Sequence, residues 1–295
     1  MVDLLQFTQQ VVSGSAIGCV YALVALGFVL IYKATEVVNF AQGELLMVGA
    51  FLAYTLIVIA GLNFWVGGLL AILLTAAFGF VIERLVVRPI VGQPIVAIVL
   101  VTIGIGFVAR SVASMVPGWG VDTHVIRTPF HNRTVRLGAL VLSQDHLAII
   151  VLTVVLCAVL FVFFRHTKLG VAMQATSQNQ LAAYYVGIPV KRVFSLIWAI
   201  SAAVAAFAGI LLAPIAFVHA NMGFIGIKAF PAAVLGGFGS VPGAIVGGLI
   251  IGVVEALAGF YLREGFKDVA AYIVLLLVLL VRPQGLFGEA VRKKV

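Results

Sequence analysis

Polar side chains are scarce in this sequence, and a compact group of them falls at Asn39, Gln42 and Glu44 within the run Val37-Val38-Asn39-Phe40-Ala41-Gln42-Gly43-Glu44-Leu45. On a helix, Asn39 and Gln42, three apart, share one face. Gly43 leaves room for a close neighbour, and Glu44 is a carboxylate that must avoid hydrocarbon. Two kinds of chemistry suit such a group: hydrogen bonding between helices, or hosting a small polar solute on its way through the protein. Arg110 and Glu255, each toward one end of an apolar run, are placed to pair, to reach toward a polar surface or to line a cavity.

Catalytic patterns are missing. No Gly-x-x-x-x-Gly-Lys-Ser/Thr stretch occurs to cradle ATP phosphates, and there is no Gly-x-Ser-x-Gly elbow or His-Glu-x-x-His zinc helix. Gly104-x-Gly106-x-x-Ala109 superficially matches a dinucleotide fingerprint, but it lies inside an apolar run with no strand before it. His124 and His131 stand seven apart on an expected loop, a poor spacing for metal ligands. Nothing here supports an enzyme.

The elements that must position these residues follow from composition. Of 295 residues, 63% are hydrophobic and 9% charged, with a mean hydropathy of +1.23, which excludes a water-exposed surface. Apolar runs near 11–32, 38–60, 64–85, 94–116, 146–164, 193–217, 224–238, 241–260 and 268–282 approach the roughly 20 residues that cross a bilayer. Stretches such as Ala271 to Val281 are apolar on every side, so the spans are helices rather than barrel strands. The expected fold is all-α: a single polytopic helical bundle over 1–295 with eight or nine membrane helices, some broken or re-entrant. Cys19 and Cys157 fall inside apolar runs and read as small packing residues rather than as a disulfide.

The net charge of +8 points to topology rather than to nucleic acid, because the basic residues cluster between apolar runs. Lys33, Arg84, Arg88, Arg165, Lys168, Lys191, Arg192, Arg282 and the tail Arg292, Lys293 and Lys294 then lie in the cytoplasm, with the N-terminus outside and the C-terminus inside. The start carries no basic leader before its first apolar run, which is expected to remain as an anchor. The stretch 117–145, external in this scheme, has turn residues between short alternating pieces such as His124 to Thr128, suggesting a small strand-bearing cap. Asn132-Arg133-Thr134 there matches a glycosylation sequon.

Within the cytoplasmic loop 165–192, residues 171–186 read as one short surface helix. Val171, Ala175, Ala182 and Tyr185 form a stripe, and Gly187 and Pro189 stop it. Such a helix presents a face either to a partner or to lipid headgroups. Further on, Gly239, Gly243 and Gly247, and likewise Gly248 and Gly252, are spaced by four, so backbones can approach closely. Phe230-Pro231 and the run Gly236 to Gly243 are expected to interrupt the helical pattern, as re-entrant segments do beside transport sites or as a tight turn does between packed spans.

Several of these segments carry a likeness. The run Val38 to Leu45, the stretch Leu169-Gly170 through Gly187-Ile188 ahead of Arg192-Val193, Lys228 through Ala244, and the closing Arg282-Pro283-Gln284-Gly285-Leu286-Phe287-Gly288 together resemble the H-type permeases of the branched-chain amino acid (Liv) ABC importers. The likeness spans essentially the whole chain. It implies a multi-pass protein of a bacterial or archaeal cell membrane, surrounded by lipid and paired with a homologous M-type permease, two cytoplasmic ATPases and an external solute-binding protein. The chain itself would bind no cofactor, ATP being used by the partners. It also implies a coupling helix that docks on the ATPase, carried by Gly170, Ala175, Ala182, Ala183, Tyr185, Gly187 and Pro189, and a translocation pathway near Asn39, Gln42, Gly43, Glu44, Phe230, Pro231, Gly236 and Gly237. Two positions depart from the pattern: Leu181 to Gly187 keeps the alanines and glycine of the permease signature without its acid, and Gln42 stands where members often carry His. Urea and short-amide importers have closely similar permeases, and an ion-coupled secondary transporter is the reading from a different class.

Overall fold

The structure, a computed structural model, describes residues 2–90, 92–131, 133–137, 140–262 and 265–288. The Asn132 sequon and the basic tail from Arg292 fall outside those residues. Helices α1 (Val2–Thr35), α2 (Gln42–Tyr54), α3 (Phe64–Ile82), α4 (Ile95–Met115), α5 (Gln144–His166), α8 (Val190–Ala216), α9 (Ile225–Gly236), α10 (Val241–Tyr261) and α11 (Phe266–Val281) correspond one by one to the nine apolar runs. Among the described residues, seven helical segments are long and apolar enough to cross a membrane, and Ala220–Gly236 is a shorter apolar one. Two short helices, α6 (Lys168–Gln178) and α7 (Gln180–Tyr185), stand between α5 and α8.

Helix α1 is the axis of the bundle, and 34 residues at about 1.5 Å each make it roughly 50 Å long. Nearly all its side chains from Ala16 to Ile31 are buried. Its tightest neighbour is α10, where small residues meet across the seam: a Cβ on Gly14 would lie 2.8 Å from Val253 Cα, and one on Gly18 would lie 2.9 Å from Leu249 Cα. Gly248 and Gly252 complete that seam, whereas Gly243 and Gly247 pack on α9 and Gly239 faces open space. The two glycine series therefore serve two different neighbours. Lipid supplies little hydrophobic drive between helices, so this close backbone approach supplies the packing.

Irregular backbone occurs at depth in two places. The expected span at 38–60 does not begin as helix. Gln42 bonds the Ser201 carbonyl, and Ser201 Oγ donates to the carbonyl of Gly27, eight residues before the end of α1. Gln42 thus lies about 12 Å inside that end, and the chain from Glu36 turns back into the bundle before α2 starts. Elsewhere, α8 ends at the hairpin end of the bundle at Phe217, a non-glycine residue at φ 60, beside the His124–Val218 bridge, and the chain returns to depth through the 3-10 turn Ala220–Phe224 into the short α9. Pro231 does not break α9, contrary to the expectation for Phe230-Pro231; the helix runs through it and stops at Gly237, φ 98. The four residues 237–240 form a tight turn, closed by Leu286 and Phe287 N–H groups donating to the carbonyls of Leu235 and Gly236.

The stretch 117–145 carries strands elsewhere than expected. An antiparallel hairpin joins β1 (Thr134–Leu137) to β2 (Leu140–Ser143), while His124 makes a single β-bridge to Val218. Gln9 of α1 bonds Val141, which sets the start of α1 beside the hairpin. The end of α1, α6, α7, the 237–240 turn and residues 284–288 lie at the opposite end of the bundle.

Candidate functional site

Two regions could carry function: the meeting of the α2 and α9 starts inside the bundle, and the α6–α7 surface at its end. In the first, Gly43 faces Gly223 and Gly226. A Cβ on Gly43 would collide with the Gly223 carbonyl, and one on Gly226 would lie 2.6 Å from Gly43 Cα. Two helix N-termini thus meet at depth, where their unpaired N–H groups create positive ends.

Asn39 and Gln42 are fully buried, and their polar atoms are occupied. Asn39 Nδ2 donates to Gln42 Oε1 at 3.4 Å, Asn39 Oδ1 accepts from the Ala41 N–H at 3.0 Å, and Ser201 Oγ donates to Gln42 Oε1 at 3.0 Å. Gln42 thereby joins α2 to α8, while Asn39, on the non-helical chain before α2, bonds Gln42. Glu44 behaves differently. It pairs with Arg110 of α4, whose guanidinium also sits 3.9 Å from the Phe224 ring centroid. Arg110 and Glu255 do not pair with each other; Glu255 accepts from Tyr21 Oη at 2.6 Å and faces Lys228, which also pairs with Asp268. Of the other proposed pathway residues, Phe230 is half-buried and packs at a tilt against Phe40, while Pro231, Gly236 and Gly237 are buried in helix packing.

At the end of the bundle, the expected single helix over 171–186 is two. Asn179 adopts an extended backbone and starts α7, its side chain accepting from the Ala182 N–H at 2.9 Å, just as Thr167 starts α6 by accepting from Gly170. Asn is favoured at this capping position because its short side chain replaces the missing intrahelical partner. Gly170, Met173 and Thr176 face inward. Ala183, expected to face a partner, is 3% exposed and points into the fold, while Ala175 is half-buried. Leu181, Ala182, Tyr184, Tyr185 and Val186 face out, with Tyr185 80% exposed. Gly187 closes α7 at φ +86, and Pro189 begins α8. Gln180 Nε2 donates to the Ala34 carbonyl at 3.0 Å, tying α7 to the end of α1.

Beside α7 lies a groove of about 730 Å³ lined in part by Leu181, Tyr184, Arg88, Lys191 and Arg192. Arg88 holds Glu83 through two bonds of 2.8 and 3.1 Å and also donates to Lys191 O and Ser195 Oγ, joining the end of α3 to the start of α8. This junction was not singled out from the sequence; an acid inside the run 64–85, with an arginine five residues later, is the signal that could have found it.

The fold is a polytopic helical membrane bundle with backbone breaks at depth, the class to which membrane permeases belong. Residues 10–281 match the family model described as the branched-chain amino acid transport system / permease component, and the chain belongs to that family. The high-affinity branched-chain amino acid transport system permease protein LivH of Escherichia coli (strain K12) is 34% identical over 99% of this chain and 98% of its own. The corresponding protein BraD of Pseudomonas aeruginosa is 34% identical over the full length of both, and the probable LivH of Methanocaldococcus jannaschii is 30% identical over 90% of this chain and 88% of its own. In fold, the chain resembles PsaBC from Streptococcus pneumoniae in complex with Fab, with a TM-score of 0.50 and 16% identity over 96% of this chain and 95% of that one.

Proposed function

We propose that this permease subunit serves an ATP-driven importer of branched-chain amino acids, working with a second, homologous permease, two ATPases that dock at the α6–α7 end, and a solute-binding protein at the hairpin end. The observation that carries the proposal is the α7 surface. Leu181, Tyr184, Tyr185 and Val186 are each at least 67% exposed beside a groove holding three basic side chains. An apolar patch of this kind rimmed by charge marks a protein contact. The end that bears it also gathers Lys33, Arg84, Arg88, Arg165, Lys168, Lys191, Arg192 and Arg282, so the positive-inside rule makes it cytoplasmic, where ATP is found. The names of the relatives support the choice of solute. ATP chemistry then belongs to the partners, and this chain is a mechanical element rather than an enzyme. Closure of the ATPases is transmitted through α7 to α1 by Gln180 and to α8 by Pro189, and the halves of the permease rock about a central path.

The test replaces Leu181 and Tyr185 together with Asp. Both side chains project outward, so membrane insertion should persist while the ATPases no longer co-purify and uptake falls at least 30-fold, the equivalent of roughly 2 kcal/mol for loss of an interface anchor. Unchanged co-purification and uptake would remove the docking role. Ala183 is a poor place for that test, because Asp there would be buried.

A further inference from the structure

We infer that the Glu44–Arg110 pair is the point at which the permease itself holds the zwitterionic head of its solute. The inference rests on the amino-acid solute proposed above. Among the described residues, Glu44 and Arg110 pair at the junction of α2, α4 and the turn before α9, with side-chain exposures of 9% and 19%. Neither is fully satisfied: Glu44 Oε2 and Arg110 Nε are buried and have no hydrogen-bond partner. Charged groups at membrane depth are costly and mark solute routes. In Asn39 and Gln42, by contrast, every side-chain polar atom has at least one partner.

The surroundings fit the rest of the ligand. Ile103, Phe107 and Arg110 follow one another at helical spacing on α4, and Phe107 is 64% exposed. Phe224 lies under the guanidinium and is half exposed. Phe224 is thus the aromatic face against the cation, and Ile103 and Phe107 extend the apolar surface of α4 toward Arg110. An α-amino acid with a branched aliphatic side chain presents the complement: a carboxylate for the Arg110 fork, an ammonium for Glu44 and an apolar chain for the phenylalanines. Room for the Glu44 side chain comes from two glycines, since a Cβ on Gly106 would lie 3.2 Å from Glu44 Cγ and one on Gly223 would overlap its carboxylate. Without solute the two charges neutralise each other. Solute exchanges that single pair for two, which keeps the site weak, and a permease site must release what it holds.

The experiment measures leucine uptake and ATPase co-purification for the reconstituted complex carrying Arg110→Lys or the double change Glu44→Gln with Arg110→Gln. The lysine variant keeps the charge and the pair but loses the fork; the double variant leaves no lone buried charge. If the pair holds solute, both assemble and both import leucine at least fivefold more slowly than the unaltered complex. If the pair only joins helices, either variant imports within twofold of the unaltered complex, and that result overturns the inference. The unaltered complex is the control for the solute: failure there to import leucine counts against the proposed function, whereas import there with unimpaired variants counts against this site alone.

Discussion

Replacing Gly43 with alanine tests the meeting of the two helix starts, on which the interior architecture depends. The added Cβ would sit 2.9 Å from both Gly226 Cα and Gly226 N and closer still to the Gly223 carbonyl. Carbon atoms in ordinary contact stand about 3.5–4.0 Å apart, so Gly226 alone requires α2 and the start of α9 to separate by roughly 0.6–1.1 Å, and the Gly223 carbonyl requires more. Overpacking of that kind costs about 1–3 kcal/mol. If it acts on the closed arrangement of the permease, each 1.4 kcal/mol is about tenfold in population, so the change is worth about 5- to 150-fold. The assay compares Gly43→Ala with Gly104→Ala in the assembled complex, following ATP-dependent uptake and the loss of folded protein on heating. Gly104 has nothing within 4 Å of its added Cβ, and alanine is the better helix former there by up to about 1 kcal/mol. Gly104→Ala is expected to match or exceed the original protein in heat stability, and Gly43→Ala to lose both stability and uptake. Equal behaviour of the two variants would refute the close approach.

Other predictions concern polar groups. Glu255→Ala leaves the buried Tyr21 hydroxyl without its acceptor, while Lys228, 38% exposed, keeps Asp268; a loss of about 1–3 kcal/mol should appear as reduced accumulation of folded protein in the membrane, while Tyr21→Phe, which removes one bond, should cost about 1 kcal/mol. Arg88→Ala disconnects α3 from α8 next to α7, so ATP hydrolysis should continue while uptake per ATP drops, measured side by side in proteoliposomes. His219 Nδ1 accepts from the Asn221 N–H at 3.2 Å, and burial holds the ring below its ordinary value of 6.5. Because the folded value is the lower one, this contribution to stability is complete above 6.5 and is lost as pH falls below it. Heat stability should therefore decline from pH 7 to 5.5, and His219→Asn, which can still accept at that cap, should flatten the decline.

The spans were legible because the length of an apolar run is a property of neighbouring residues. Eight of the nine runs end within a few residues of an observed helix, and the ninth, α1, extends further toward its start than its apolar part suggested. Where the backbone turns back into the bundle was less legible: residues 38–41 are as apolar as helix, and only the Gln42–Ser201 contact shows that the chain has returned to depth. Pro231 misled for a related reason. Its missing N–H lies within a helix whose neighbours hold it in place, so the break falls at Gly237, where φ is positive. At α7, Ala182 and Tyr185 of the stripe face outward, whereas Ala183, grouped with them by the family likeness alone, points inward; Asn179 divides the expected single helix in two. The Glu44–Arg110 pair joins residues 66 apart, which no local pattern encodes; the sequence showed only that each charge required a partner.

The most direct measurement of the central claim is accumulation of labelled leucine by proteoliposomes containing this chain with the second permease and the ATPases, given the solute-binding protein on one side and ATP on the other. Accumulation that requires ATP at the α6–α7 face, and stops when either permease or ATPase is left out, is the predicted result. Accumulation by this chain alone under an ion gradient, or of urea in place of leucine, would contradict it.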